Sequence, residues 1–394
     1  MKHKTSTIRE QSYQKTYFGK QDYSFLIFVC IWALFGLTML LSASSYESEK
    51  ITGAPQTFFL TQAATLGISF ALMLLIGLMD YRVLRKLSWV LAAFSLIALV
   101  LVSFSSLGLS AGGSQRWLKI GALSFQPSEI AKISCLILMA DGLANNSWRS
   151  LKVIKRFLFC FLIAVLILKQ PDLGTAVLIL ASCGCLLLAG GLNLFLAISF
   201  VALALGGVIL SVMKNPYQMQ RITGWLTPEQ DPIGAGYNLL QSHYAIGSGG
   251  VFGLGYGQSI QKLGYLPVSY SDFIFAIICE ELGFIGVLLV IGGFLFLLWK
   301  GLQIAFRVPS NFGKLLGFGI IFSLIIQTIF NLGGVIGLLP VTGMPLPLIS
   351  YGKTSVVVVG IMLGIFLNLS RSKGVKLNID REHSEKNTLQ VARL

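Results

Sequence analysis

The stretch Gly253–Gly286, GLGYGQSIQKLGYLPVSYSDFIFAIICEELGFIG, decides the class of this chain. A glycine-rich polar loop runs straight into an apolar segment. The junction carries Asp272, and Glu280 and Glu281 follow about two to three helical turns further in. Holding an ionisable group at membrane depth costs roughly 2.5–3.5 kcal/mol on insertion scales, so carboxylates in such a segment point first to a functional site.

The surrounding sequence has the same character. Of 394 residues, 55% are hydrophobic and 12% charged, and the mean hydropathy is +0.77. That composition excludes a soluble globular protein and indicates an all-α polytopic membrane protein. The formal charge of +14 is carried between hydrophobic runs and in the two tails, a distribution that fits membrane loops and excludes nucleic acid as a partner. The first apolar run is followed by Ser42, Ala43 and Ser44 in the manner of a signal peptide, but many similar runs follow, so it is read as a retained helix.

Hydropathy predicts about ten spans, approximately 24–44, 58–79, 87–107, 127–143, 157–169, 173–190, 192–213, 273–299, 312–339 and 354–369. The expected organisation is a tail over 1–22, one membrane domain over 23–370 and a second tail over 371–394. A long loop, 214–272, joins spans seven and eight. With ten spans, the Lys- and Arg-rich segments all fall on one side, which makes that side and both termini cytoplasmic. Loops 108–126, 214–271 and 340–353 and the short turn at Gln170–Asp172 then share the outer side. The long loop reads as ordered structure lying on or dipping into the outer leaflet, with a short helix at Tyr237–Ile246.

The fourth span opens with Glu129 and Lys132, which share one helix face at the expected depth of Asp272. They are expected to meet Asp272 in a polar cavity; the alternative is a purely structural ion pair. Asp272 itself either bears chemistry or only caps the eighth helix. Glu280 and Glu281 point about 100° apart, so at most one shares its face. The outer cations Arg116, Lys119, Arg221, Lys262 and Lys353 either touch lipid headgroups or, with Lys132, neutralise an anionic group such as a pyrophosphate. Glycines from Gly247 to Gly257 fit no phosphate-loop spacing and read as close approaches or positive-φ turns. Gly333/Gly337 and Gly360/Gly364 suit close helix packing. The six cysteines lie in apolar segments and read as packing residues. His3, His243 and His383 stand apart, which argues against a histidine metal site.

Several long motifs, in order, carry a resemblance. GSQRWLKIGALSFQPSEIAK, QPDLGTAVLI, DPIGAGYNLLQSHYAIGSGGVFGLGYG, QKLGYLPVSYSDFIFAIICEELGFIG and GLLPVTGMPLPLISYG resemble the SEDS proteins, the FtsW, RodA and SpoVE group. The resemblance implies a fold similar to GT-C membrane glycosyltransferases. It also implies a peptidoglycan glycosyltransferase of the bacterial cytoplasmic membrane that polymerises lipid II on the outer face, beside a class B penicillin-binding transpeptidase and other divisome or elongasome proteins. By resemblance Asp272, Glu129 and Lys132 are the catalytic residues, and Gln126 and Ser128 belong to the same motif. Arg116, Lys119 and Lys353 join them as candidate substrate contacts, and a divalent cation, Mg or Mn, is implied without an identified ligand set. Two departures stand out. Val268 and Tyr270 replace the Glu and His of the common P-E-x-H, and Lys353 replaces the last glycine of S-Y-G-G. The motifs divide between division and elongation branches, and division is chosen. Competing readings are a lipid II flippase and a catalytically inactive division scaffold.

Overall fold

The computed structural model describes residues 17–18, 21–104, 108–111, 114–120, 123–196, 198–199, 206–207, 212–213 and 215–373. Most of both expected tails and half of the expected seventh span, 192–213, lie outside the described residues.

Among the described residues, the helices of more than ten residues are α1 Tyr23–Thr52, α2 Thr57–Leu78, α3 Ser88–Phe104, α4 Pro127–Ala144, α5 Leu151–Lys169, α6 Leu173–Ala189, α7 Pro216–Leu226, α8 Tyr237–Gly249, α9 Ile274–Arg307, α10 Asn311–Val335 and α11 Lys353–Arg371. Among the described residues, five of these are long and apolar enough to cross a membrane: α1, α2, α9, α10 and α11. Helices α3 and α6 are apolar but shorter. The chain is a multi-pass membrane protein. Isoleucines and leucines such as Ile27, Ile31 and Leu34 stand exposed at helical spacing on α1, as lipid contact requires.

Local chemistry sets the helix ends. Asp22, Ser150, Asp172 and Ser310 each accept a hydrogen bond from a backbone N–H in the first turn of the following helix. Gly53, at φ 74°, ends α1 in the left-handed conformation. In the interior, nearly every residue of α4 is buried. The Gly360/Gly364 pattern packs α11 on α2: a methyl on Gly364 would fall 2.7 Å from the Met73 carbonyl oxygen, and Gly360 closes on Ser69. Cys135, Cys160 and Cys183 are buried, free thiols, as packing predicts.

The segment 108–126, read from sequence as a glycine-rich loop in an all-α protein, departs from that expectation. Strands β2 Gly108–Ala111, β3 Ser114–Ile120 and β4 Leu123–Phe125 form an antiparallel sheet, with Leu109 opposite Trp117 and Lys119 opposite Ser124. A second, two-residue pairing joins β1 Tyr17–Phe18 to β5 Ser372–Lys373.

Helix α9 is broken at Gly283, whose φ of 64° and ψ of −153° are not helical. The loop after α8 occupies the break. Leu254 N–H donates to Glu280 O at 3.0 Å, Gly255 N–H to Glu281 O at 3.0 Å, and Phe284 N–H to Gly250 O at 2.9 Å. Gly253, at φ 77°, comes so close to the Glu281 carbonyl that no side chain fits. Tyr256 then donates its hydroxyl to Thr38 O of α1 at 2.8 Å, so this loop re-enters to a level well inside the longest apolar helices. Irregular backbone at that depth is tolerated only where the protein supplies its hydrogen-bond partners. The glycine cluster serves close approach, as its spacing indicates.

Candidate functional site

Asp272 lies just before α9, where the chain leaves the long loop. Its Oδ1 accepts from the Ser271 hydroxyl at 2.9 Å, and its backbone carbonyl accepts from Asn331 Nδ2 at 2.9 Å. The same amide nitrogen donates to Met344 O at 2.8 Å. One side chain of α10 thereby ties Asp272 to the segment that joins α10 to α11. Ser350 reinforces this junction, donating to Ser271 O at 2.6 Å and accepting from Leu346 N at 2.8 Å.

A small, open cleft lies beside Asp272, walled by Asn331, Val341, Thr342, Gly343 and Met344 among others. Gly343 forms the close wall: a methyl there would lie 3.5 Å from Asp272 Oδ2 and 3.7 Å from Arg221 Nη1. Arg221, on α7, also donates to Val341 O at 3.2 Å. Burial pushes the Asp272 carboxyl above its ordinary range and the charge of Asp172 adds to the push, while the Ser271 hydroxyl and the charges of Arg221 and Arg116 oppose it. Desolvation prevails, so the group is a stronger base than an exposed aspartate.

Arg116 reaches the site from β3. Its guanidinium donates to the carbonyls of Gln170 and Pro171, in the turn that ends in Asp172. Asp172 is buried, and it accepts from Thr175 N at 3.1 Å, Thr175 Oγ1 at 3.0 Å and Gln126 Nε2 at 3.3 Å. The first turn of α6 abuts the cleft, because a methyl on Gly174 would fall 2.8 Å from Thr342 Cβ. The sequence places Asp172 in the turn between two spans and within the QPDLGTAVLI motif, but not among the candidate site residues. That motif, on an expected outer turn, was the available signal.

Glu129 and Lys132 form the expected pair, at 2.9 Å and buried, but the ammonium turns to α10 and not to Asp272. Lys132 Nζ donates to Gln327 Oε1 at 2.8 Å, and Gln327 Nε2 donates to Pro345 O at 2.7 Å. Gln327 and Asn331 are one turn apart on α10 and grip the same segment at Pro345 and Met344. The pair and Asp272 are thus coupled through that segment, with two arginines standing in the charge neighbourhood expected for Lys132. Ser128 is buried on α4. Gln126 donates its side-chain amide to Asp172 and its backbone N–H to Thr354 Oγ1. Lys119 and Lys353 are exposed, at β3 and at the first residue of α11.

Lys262, expected among the cations facing lipid or ligand, is instead buried. Its Nζ lies 2.8 Å from Glu281 Oε1 and 2.7 Å from Ser42 Oγ. Glu280 accepts from Ser259 Oγ and from Ile260 N at 2.9 Å. Both glutamates therefore brace the re-entrant loop. Tyr270 packs with Phe58 and Tyr351, with ring centroids 5.0 and 5.6 Å away, and its carbonyl accepts from Tyr351 N. Val268 beside it has a φ of 56°, rare for a β-branched residue.

Among the described residues, no three His, Cys, Asp or Glu side chains come together as a metal-ion site. Asp172 is occupied by Thr175 and Gln126, and the charges acting on Asp272 are two arginines beside that already hydrogen-bonded carboxylate. This donor set does not fit a divalent ion.

A family profile described as "Cell cycle protein" and covering FtsW, RodA and SpoVE matches residues 22–374. The chain is 36% identical over 354 residues to stage V sporulation protein E of Bacillus subtilis (strain 168), covering 89% of this chain and 97% of that one. It is 37% identical over 360 residues to a probable peptidoglycan glycosyltransferase FtsW of Idiomarina loihiensis, covering 89% and 88%. Among solved structures it is similar to a chain from a peptidoglycan synthase complex described as coordinating polymerization and crosslinking, with a TM-score of 0.74, 29% identity and coverage of 89% and 98%. It is also similar to the rod shape determining protein RodA of Thermus thermophilus, with a TM-score of 0.67, 27% identity and coverage of 90% and 97%.

Proposed function

The chain belongs to the FtsW, RodA and SpoVE family of cell cycle proteins, and from that premise we propose that it is a peptidoglycan glycosyltransferase that polymerises lipid II, with Asp272 as general base. The enzyme class is that of curated relatives which match nearly its whole length. The observation that carries the mechanism is a carboxylate raised in basicity by burial, facing a cleft, with Arg221 and Arg116 near enough to act on its charge.

Asp272 takes the proton of the 4-hydroxyl of an acceptor GlcNAc as that oxygen attacks the anomeric carbon of a donor MurNAc. The bond to undecaprenyl pyrophosphate breaks on the opposite face, and configuration inverts. A sugar hydroxyl is too weak an acid to ionise beforehand, so the proton moves as the new bond forms. Charge developing on the departing pyrophosphate is met by Arg221 and Arg116, whose forked guanidinium groups suit phosphate oxygens. Glu129 and Lys132 act through Gln327 on the segment that holds Asp272. No step is assigned to a divalent ion.

This reading puts the Asp272 end of the bundle on the outer face of the cytoplasmic membrane and both termini inside. It gives the enzyme a class B transpeptidase as working partner, in line with the synthase complex to which the fold is similar, and assigns it to division. Transport is less well supported. The charge at the far end of α4, Asp141, is held by Arg85 at 2.9 Å and by Arg156, a fixed network and not a translocation path. An inactive scaffold would have no use for a basic carboxylate beside an open cleft. The test is lipid II polymerisation by purified protein with a co-expressed transpeptidase. Asp272→Asn is expected to lower the rate by about 10²- to 10⁴-fold, the usual worth of a general base; a variant that polymerises normally refutes the assignment.

A further inference from the structure

Two buried polar atoms beside Asp272 are left over after the protein's own hydrogen bonds are counted. Asn331 is 4% exposed and spends both amide hydrogens, on Asp272 O and Met344 O. That orientation leaves its Oδ1 buried without a partner, and Thr342 Oγ1 is in the same condition. Both residues line the cleft that Asp272 lines. Folds rarely leave buried polar atoms unpaired, because each carries a desolvation penalty.

We propose that Asn331 and Thr342 form the subsite that receives the acceptor sugar next to Asp272, taking hydrogen bonds from its hydroxyl or acetamido N–H groups. The assignment rests on the glycosyltransferase reading above. The chemistry of the wall selects the ligand. An amide oxygen and a carboxylate both need donors, which a polyhydroxylated or N-acetylated sugar brings, whereas a phosphate brings acceptors and is repelled. The guanidinium of Arg221, 3.7 Å from where a methyl on Gly343 would lie, stands beside the cleft and is the group suited to phosphate. The site thus divides into a donor-seeking wall for the sugar and a cationic wall for the leaving group.

Thr342 carries the test, because substitution of Asn331 would also break the two backbone hydrogen bonds that hold Asp272. Thr342→Val keeps the shape and deletes the hydroxyl, so a merely structural threonine predicts equal or greater stability and unchanged kinetics. The subsite predicts a KM for lipid II raised about three- to tenfold, the worth of one neutral hydrogen bond, with the melting temperature unchanged or higher. Thr342→Ser should restore KM. A Thr342→Val protein with wild-type KM, or one whose loss tracks a lowered melting temperature and is not recovered by serine, overturns the proposal. Thermal-shift titration with a soluble GlcNAc–MurNAc disaccharide reads the subsite without turnover. Weaker binding by the valine variant supports it and equal binding overturns it. Wild-type protein that binds the disaccharide through Thr342 but makes no glycan would sink the glycosyltransferase reading and leave the subsite standing.

Discussion

Replacing Lys262 by methionine tests the brace beneath the re-entrant loop. In the native protein Lys262 is 6% exposed and Glu281 0%, and the ammonium lies 2.8 Å from the carboxylate. The substitution keeps most of the side-chain volume and removes the charge. Glu281 would then retain only the Ser42 hydroxyl, at 2.5 Å, and Ser259 N–H, at 3.3 Å, while its Oε2 already lacks a partner. Stranding one member of a buried ion pair costs about 3–5 kcal/mol. Glu281→Gln should cost a similar amount by stranding the ammonium. The double variant removes both charges and should be more stable than the sum of the single losses by about 1–3 kcal/mol, as contacting residues are when they act as a unit. Unfolding in detergent micelles, followed by tryptophan fluorescence, measures all three. Single substitutions costing less than about 1 kcal/mol, or strictly additive losses, would refute the view that this pair holds the loop. The polymerisation rate should fall with the single variants, because the braced segment runs on to Asp272.

Activity should fall as pH drops through a midpoint above the ordinary aspartate range, since burial raises the Asp272 carboxyl and only the ionised form is a base. Arg221→Met removes a charge that favours the ionised form, so the acid limb should move to higher pH; a pH–rate profile with an unmoved limb counts against the charge assignment. Gly36→Ala would place a methyl 2.5 Å from Leu348 O and 2.7 Å from Ile349 Cα, against backbone that cannot rotate away. Such overpacking costs about 1–3 kcal/mol, and both the melting temperature and the rate should drop, because the displaced segment carries Ser350 to Ser271.

The long apolar helices were legible because each is written in contiguous residues, although α1 runs on to Thr52, past the expected end at 44. Asp272 could be singled out for the same reason, as a carboxylate at the lip of an apolar run. Its neighbours could not. Asn331 and Met344 meet it through folds of the chain that no local spacing reveals, and Lys132 turned toward Gln327, which is 195 positions away. The small sheet was missed because its strands are only three to seven residues long, too short for alternation to stand out against glycine-rich turns. Asp172 was passed over because a three-residue turn looks like mere spacing, although every such turn on one membrane face shares a depth with the others.

The break in α9 also bears on how the protein is made. Residues 250–255 leave the ribosome before Glu280, Glu281 and Phe284, whose backbone groups receive or supply their hydrogen bonds. Until α9 has entered the membrane, the loop has nothing at membrane depth to pair with, and water is its only satisfactory solvent. It must therefore stay a hydrated segment and fold back only after the following helix is in place. Insertion of α9 and closure of the loop form one late, coupled step in biogenesis. A protein stalled before that step would present its first helices correctly and still lack an ordered Asp272.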